Sequence, residues 1–167
     1  FQAEQQRIAE LAIINSVQAS LAAELNIQGI YDAVGGKIRE IFNNTDVDIR
    51  IYDPRTNLDH FVFEYEKGER ISIDPIPHQG IGIFSHVLNT RETLLVNENM
   101  VAAMEQYGSY LLPGTQQEKS AVYVPLVAGD QAHGMISLTN AEREHAFSES
   151  DVRLLQTLAN SMSVALE

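Results

Sequence analysis

From residue 2 to about residue 25, apolar residues return at helical intervals. Leu11, Ile14, Leu21 and Leu25 follow one another at spacings of three, seven and four, with Gln18 at the missing heptad position. Ile8, Ala12, Ala19 and Ala22 widen the stripe, so the pattern predicts one long helix with a seam. Asn26 and Gly29 interrupt it, and Ile30, Val34, Ile38, Ile41 and Phe42 then line one side of a second helix over 30–42. Gly35 and Gly36 sit in its middle, where each costs roughly 1 kcal/mol of helix propensity. With no proline or turn cluster beside them, they mark a point of close packing rather than a break.

The period then drops to two. Val47, Ile49 and Ile51 alternate with Asp48, Arg50 and Tyr52, and Asp53-Pro54 ends the run. Phe61, Phe63 and Tyr65 alternate with His60, Val62 and Glu64 in a second strand. Lys67-Gly68-Glu69 reads as a hairpin tip, 70–73 as a short third strand ended by Pro75 and Pro77, and 94–96 as a fourth. A helix over 82–89 lies between, and 98–112 reads as a helix to residue 107 followed by a loop with Tyr107, Tyr110 and Pro113-Gly114. Residues 121–127 and 134–140 form two further strands joined by a hairpin. Ser148, with Asp151 three residues on, starts a last helix in which Val152, Leu155, Ala159, Met162 and Leu166 step by threes and fours. Helices and a strand meander in this order predict an α+β domain on an antiparallel sheet. The seam helices divide it into 1–25, a core of 26–150, and 151–167.

Length and composition narrow the class. The 167 residues are about one domain, 44% hydrophobic and 20% charged, without low-complexity tracts. No apolar run nears the roughly 18 residues of a membrane span, and no signal peptide is visible. Direct membrane insertion by this segment is therefore not expected. The chain starts on Phe1 and stops inside a helical pattern, as a segment of a longer protein would. Eleven lysines and arginines against 23 aspartates and glutamates leave a net charge of −12, a surface that repels nucleic-acid backbones. Zero cysteines exclude disulfides, thiolate metal sites, thioether-linked chromophores and cysteine nucleophiles, and suit a cytoplasmic setting.

Motif chemistry is sparse. Gly80-x-Gly82-x-x-Ser85 lacks the preceding buried strand and the third small residue of a dinucleotide fingerprint. It reads instead as a loop requiring positive φ before a packing helix whose Ile83, Phe84, Val87 and Leu88 turn inward. His60, His78, His86, His133 and His145 show no metal-binding spacing, and Glu142-Arg-Glu144-His145 reads as a solvated loop. Gly108-Ser109 lacks the second glycine and the strand–elbow–helix setting of a nucleophile elbow. No catalytic constellation emerges, and no metal site. Arg50 and Tyr52 share one strand face, and Tyr123, Ser137 and Thr139 alternate with the apolar Val122, Val124, Ile136 and Leu138. Such a second sheet face is either simply wet, or covered by short helices that enclose a pocket.

The chain resembles a GAF domain, the small-molecule sensor module of signalling proteins, over nearly its whole length. The resemblance is carried by Val47-Asp-Ile-Arg-Ile-Tyr-Asp53, by residues 80–96, by Ser120-Ala-Val-Tyr-Val-Pro-Leu126, by Gly134-Met-Ile-Ser-Leu-Thr-Asn140 and by Phe147-Ser-Glu-Ser-Asp151 with Leu154-Leu155 and Leu158-Ala159. It implies a PAS-related, six-stranded antiparallel sheet, with the terminal helices and the 30–42 helix on one face. The pocket would lie on the other, beneath the 82–89 helix and the 98–112 segment. Arg50, Tyr52, Phe84, Tyr107, Tyr110, Tyr123, Ser137 and Thr139 are then the candidate ligand-binding residues, a set that any register slip would change.

Departures from the family pattern bear on the ligand. Cyclic-nucleotide-binding members carry Asn-Lys…Phe-x-x-x-Asp-Glu. Here Asn140, Phe147 and Asp151 match, but Ala141 and Val152 replace the lysine and glutamate, so the bridge that closes that pocket cannot form. Bilin-binding members attach their chromophore through cysteine, which this chain lacks, and no motif supports haem. The ligand is thus left unidentified. The resemblance implies a non-catalytic regulatory input domain of a bacterial signalling protein, itself free or membrane-tethered. It would form a homodimer through Leu11, Ile14, Leu21 and Leu25 and through Val152, Leu155, Ala159, Met162 and Leu166, and would control an attached output domain. The alternatives are a ligand-free dimerisation spacer filled by Phe84, Tyr107 and Tyr110, and a small enzyme. The methionine-sulfoxide-reducing relatives of the family work through cysteines, which excludes their chemistry here.

Overall fold

The structure, a computed structural model, describes residues 2–22, 26–43 and 45–167. Along the chain run α1 (Gln2–Ala22), α2 (Ile27–Ile41), β1 (Asp46–Asp53), β2 (Leu58–Glu66), β3 (Glu69–Arg70), β4 (Ile76–Pro77), α3 (Ile83–Thr90), β5 (Leu94–Val96), α4 (Met100–Tyr107), β6 (Ser120–Ala128), β7 (Gln131–Asn140) and α5 (Glu149–Leu166). The strands form one antiparallel sheet in the order β3-β2-β1-β7-β6-β5, and β4 pairs with β2 beside this path. No helix among the described residues is long and apolar enough to cross a membrane.

Helices α2 and α5 cover one face, and α1 packs on these two helices from outside. Strand alternation sends Val47, Ile49, Val122, Val124, Ile136 and Leu138 into that layer, where they meet Val34, Ile38, Leu155, Leu158, Ala159 and Met162. Gly35 is the close-packing point, since a Cβ there would stand 2.5 Å from the Phe63 ring, whereas Gly36 has nothing within 4 Å. Asn26 caps α2 by accepting from the Gly29 amide at 2.6 Å. Ser148 and Asp151 form a reciprocal capping box at the start of α5.

Three departures from the sequence pattern have local causes. The β1–β2 register shifts between Ile49 and Arg50, because Ile49 pairs with Phe63 while Arg50 pairs with Phe61. Val62 is the extra residue of a bulge, and its carbonyl accepts from Gln28 Nε2 on α2 at 3.0 Å. The simple alternation of Phe61, Phe63 and Tyr65 is thereby broken: Phe63 joins the helix-side core, while Phe61 lies against the Arg50 guanidinium at 4.5 Å. The third strand shrinks to Glu69–Arg70, and Pro77, expected to follow a strand end, instead sits in the edge strand β4 opposite Leu58. Strands β6 and β7 run on to Ala128 and Gln131, leaving only Gly129 and Asp130 as the turn.

The expected seams also sort unequally. On α1, Leu11 is exposed, Ile14 is half-buried, and Val17 and Leu21 enter the core. Leu25 lies outside the described residues. On α5, Leu155, Ala159 and Met162 are fully buried in the chain's own core, with Val152 and Leu166 packed against it. They are thus committed to the helix–sheet layer, and the exposed apolar residue of α5 is Val164.

Candidate ligand-binding site

The other sheet face is covered by α3, α4 and the segments around them. Ile83, Phe84 and Val87 of α3 and Met100 of α4 pack on Ala121, Tyr123 and Met135 of the sheet. Gly82 makes the tight entry to α3: its φ is +109°, and its amide donates to Tyr107 O at 2.7 Å. The next amide, of Ile83, donates to Ser109 Oγ at 2.7 Å, so the glycine pair of the sequence serves as the junction between α3 and the end of α4.

Beside this cluster lies a cavity of about 130 Å³. Its floor is the even-numbered face of β1 and the strands that flank it. Asp48 pairs with Glu64 of β2 on one side and with Ser137 of β7 on the other, and Ser137 pairs with Tyr123 of β6. A row Glu64–Asp48–Ser137–Tyr123 therefore crosses four strands on one face. Ile71 and Ile73, Ile83, Met104 and the 109–116 loop supply the remaining walls.

Of the eight candidate residues, Arg50, Tyr110, Tyr123, Ser137 and Thr139 line this cavity. Tyr52, Phe84 and Tyr107 do not, because each is engaged by a histidine. Tyr52 and Phe84 pack on His78 with ring centroids 4.3 and 5.9 Å away, and Tyr107 packs on His86 at 4.5 Å. His78 reaches over the far end of β1 because its Nδ1 lies 2.8 Å from Oδ1 of the buried Asp59. The cavity is thus confined to the Asp46–Arg50 end of the strand.

Sequence reasoning missed the acids. Asp46, Asp48, Glu64, Glu66 and Glu118 all line the cavity, with Arg50 as the single basic residue among them. Alternation already put Asp46 and Asp48 on the face of Arg50, and a carboxylate amid a central, well-buried strand was the available signal. Alternation with Phe63 and Tyr65 likewise put Glu64 on the cavity face. Asp46 Oδ1 accepts from the Lys67 amide at 2.9 Å, and Glu66 Oε1 from the Gln116 amide at 2.6 Å. Asp48 Oδ2 accepts from Ser137 Oγ at 3.2 Å and stands 3.5 Å from Arg50 Nη2. Asp48 Oδ1, Glu64 Oε1 and Gln116 Oε1 are buried without a hydrogen-bond partner, as is Arg50 Nε.

Burial raises the Asp48 carboxyl above its ordinary range, with Arg50 and Ser137 partly offsetting the effect. Burial likewise raises Glu118, aided by the charges of Asp48 and Glu66, and raises Asp46. The Tyr123 phenol is pushed up by burial as well, so it stays protonated. Such a site can bind and orient a small molecule. Among the described residues that line it, Ser137 and Asp48 form the hydroxyl–carboxylate pair, and none is a histidine.

The family model for GAF domains matches residues 24–167, and the chain belongs to the GAF domain family. Solved structures share the fold at low identity. The GAF domain of an Acinetobacter phosphoenolpyruvate-protein phosphotransferase matches with TM-score 0.78 and 17% identity, over 95% of this chain and 92% of that one. Residues 122 to 287 of a methyl-accepting chemotaxis protein match with TM-score 0.75 and 15% identity, over 93% and 96%. A free methionine-R-sulfoxide reductase from Neisseria meningitidis, solved with its substrate, matches with TM-score 0.73 and 18% identity, over 93% and 87%. No curated protein sequence matches the chain.

Proposed function

We propose that this chain is a non-catalytic input domain that binds a small molecule in the cavity above β1 and controls an attached output domain through its terminal helices. The observation that carries the reading is the cavity itself, whose floor holds buried polar atoms left without partners. Unpaired buried acceptors cost about 1–3 kcal/mol each, and a bound molecule is a natural source of the missing donors. Solved relatives by fold include a chemotaxis protein, which accords with a signalling role. A reductase shares the fold too, but this chain has no cysteine.

Transmission requires a helix arrangement that the ligand favours over another. The helices α1 and α5 pack on each other, and α5 in turn packs on the sheet. We assign dimerisation to their outer surfaces, where Ile8, Leu11 and Val164 are 66%, 56% and 70% exposed. We place the domain in the cytoplasm, as a module of a larger protein.

The modest cavity favours one alternative, a ligand-free dimerisation spacer. Native mass spectrometry of the purified chain, then denaturation of the same sample, separates the two. Release of one defined small species supports the sensor. An empty dimer, unmoved in thermal stability by metabolite panels, supports the spacer.

A further inference from the structure

We infer that the cavity takes a small organic ammonium ion, its charged head among Asp48, Glu64 and Glu118 and its aliphatic body against Ile71, Ile73 and Leu112. This rests on the sensor reading and narrows it to one ligand class.

Charge excludes the opposite choice. Five carboxylates line the cavity against one guanidinium. That guanidinium is already held, 3.5 Å from Asp48 and over the rings of Phe61 and Phe84 at 4.5 and 5.3 Å from their centroids. An anion entering here would meet net negative charge at short range in a medium that screens poorly.

The second observation is independent of the charge tally. Glu64 is only 8% exposed, lines the cavity, and keeps Oε1 without a partner. Asp48 Oδ1 and Gln116 Oε1 are buried and vacant in the same lining. An ammonium group carries three donors and no acceptor, and so suits vacant acceptors on carboxylate and amide oxygens. A metal ion fits less well, because no group of three His, Cys, Asp or Glu side chains among the described residues is arranged to hold one. Ile71, Ile73, Leu111 and Leu112 give the cavity apolar walls, which an alkyl body would cover and a bare inorganic cation would not.

The test uses one skeleton with three head groups: butylammonium, butan-1-ol and butyrate, each titrated into the whole 167-residue chain and followed by amide chemical shifts. Butylammonium should bind saturably and move the resonances of Gln116, Tyr123 and Ser137. The alcohol and the carboxylate should bind at least roughly tenfold more weakly. Glu64→Gln should weaken butylammonium by roughly tenfold while the folded spectrum and the melting temperature are kept or improved, an outcome a merely structural role for Glu64 would reverse.

Equal or tighter binding of butyrate or butan-1-ol overturns the inference and leaves a ligand site of another class. A cavity unmoved by all three also overturns it. The mass spectrum of co-purified species then judges the sensor reading separately: a non-cationic molecule preserves that reading, and an empty protein removes it.

Discussion

Asp48 and Glu64 face each other directly across the β1–β2 ladder, and each keeps one buried carboxylate oxygen with no hydrogen-bond partner. Like charges at directly opposed sheet positions destabilise, and burial of unpaired oxygens adds to the cost. The fold tolerates this because the helix-side core is extensive and independent of it. Val47 and Ile49, on either side of Asp48 in sequence, are 2% and 0% exposed on the opposite face. One strand thus anchors the core with its odd residues and concentrates charge with its even ones.

That arrangement sets the response to pH. Burial raises the Asp48 and Glu118 carboxyls, so the folded chain binds their protons more tightly than the unfolded chain does. Their contribution to stability is therefore greatest when they are protonated. It falls as pH rises from the ordinary values of 3.8 for Asp48 and 4.5 for Glu118 to their raised folded values, and is level above them. Asp46, Glu64 and Glu66 face the same space and add negative charge, while Arg50 opposes them. Urea unfolding of the ligand-free chain at a series of pH values should show stability rising on mild acidification, and Asp48→Asn should flatten the slope. Asp53, whose carboxyl is lowered chiefly by the Arg55 amide, works in the opposite direction and only at lower pH. A ligand-free chain that loses stability steadily from neutral pH downward contradicts the assignment.

Much of the scaffold was legible because its signals are local. The Val47–Ile51 alternation, the Ser148–Asp151 cap and the 82–89 helix needed only period and capping chemistry, and the positive φ expected of the glycine loop falls on Gly82 and not on Gly80. The site was half legible. Strand faces placed Arg50, Tyr123, Ser137 and Thr139 on the cavity floor. Tyr52, Phe84 and Tyr107 do not line the cavity, because their partners, His78 and His86, come from distant segments that no periodicity pairs with them. Phe61 left the face of Phe63 because a one-residue bulge at Val62 is invisible to alternation and reverses the sheet face of the residues before it.

The two glycines of α2 predict opposite outcomes for one substitution. A Cβ on Gly35 would sit 2.5 Å from the Phe63 ring, which is itself 3% exposed and unable to move freely. Gly35→Ala should destabilise the chain by about 1–3 kcal/mol despite the gain in helix propensity. Gly36 meets nothing within 4 Å, so Gly36→Ala should stabilise by up to about 1 kcal/mol. Denaturant midpoints of both variants measured side by side check the pair. Equal shifts of one sign would mean that α2 does not approach β2 as described.

His78 closes the far end of the cavity face. Its Nδ1 stands 2.8 Å from Oδ1 of Asp59, which is 3% exposed, and its amide donates to Asn57 O at 2.9 Å. His78→Ala leaves the Asp59 carboxylate buried without that partner and frees the Tyr52 and Phe84 rings, at a cost of about 3 kcal/mol. His78→Ala combined with Asp59→Leu should recover part of the loss, because the stranded charge is then gone. A double variant no better than the single one would show that aromatic packing, and not the carboxylate, accounts for the effect.

The two terminal helices separate folding from self-association. Met162 is 0% exposed among core residues, so Met162→Ala should cost about 2–5 kcal/mol of fold stability at any protein concentration. Leu11 is 56% exposed, and Leu11→Glu should leave the stability of the isolated chain within about 0.5 kcal/mol. If the outer surface of α1 joins two copies, that same change places like charges across the interface and should weaken association by roughly tenfold or more. Sedimentation velocity over a concentration series reads the second effect, and denaturant unfolding at low concentration reads the first. A Leu11→Glu chain that sediments as the unaltered one does would remove α1 from the interface, and Val164→Glu would then test α5 by the same pair of measurements.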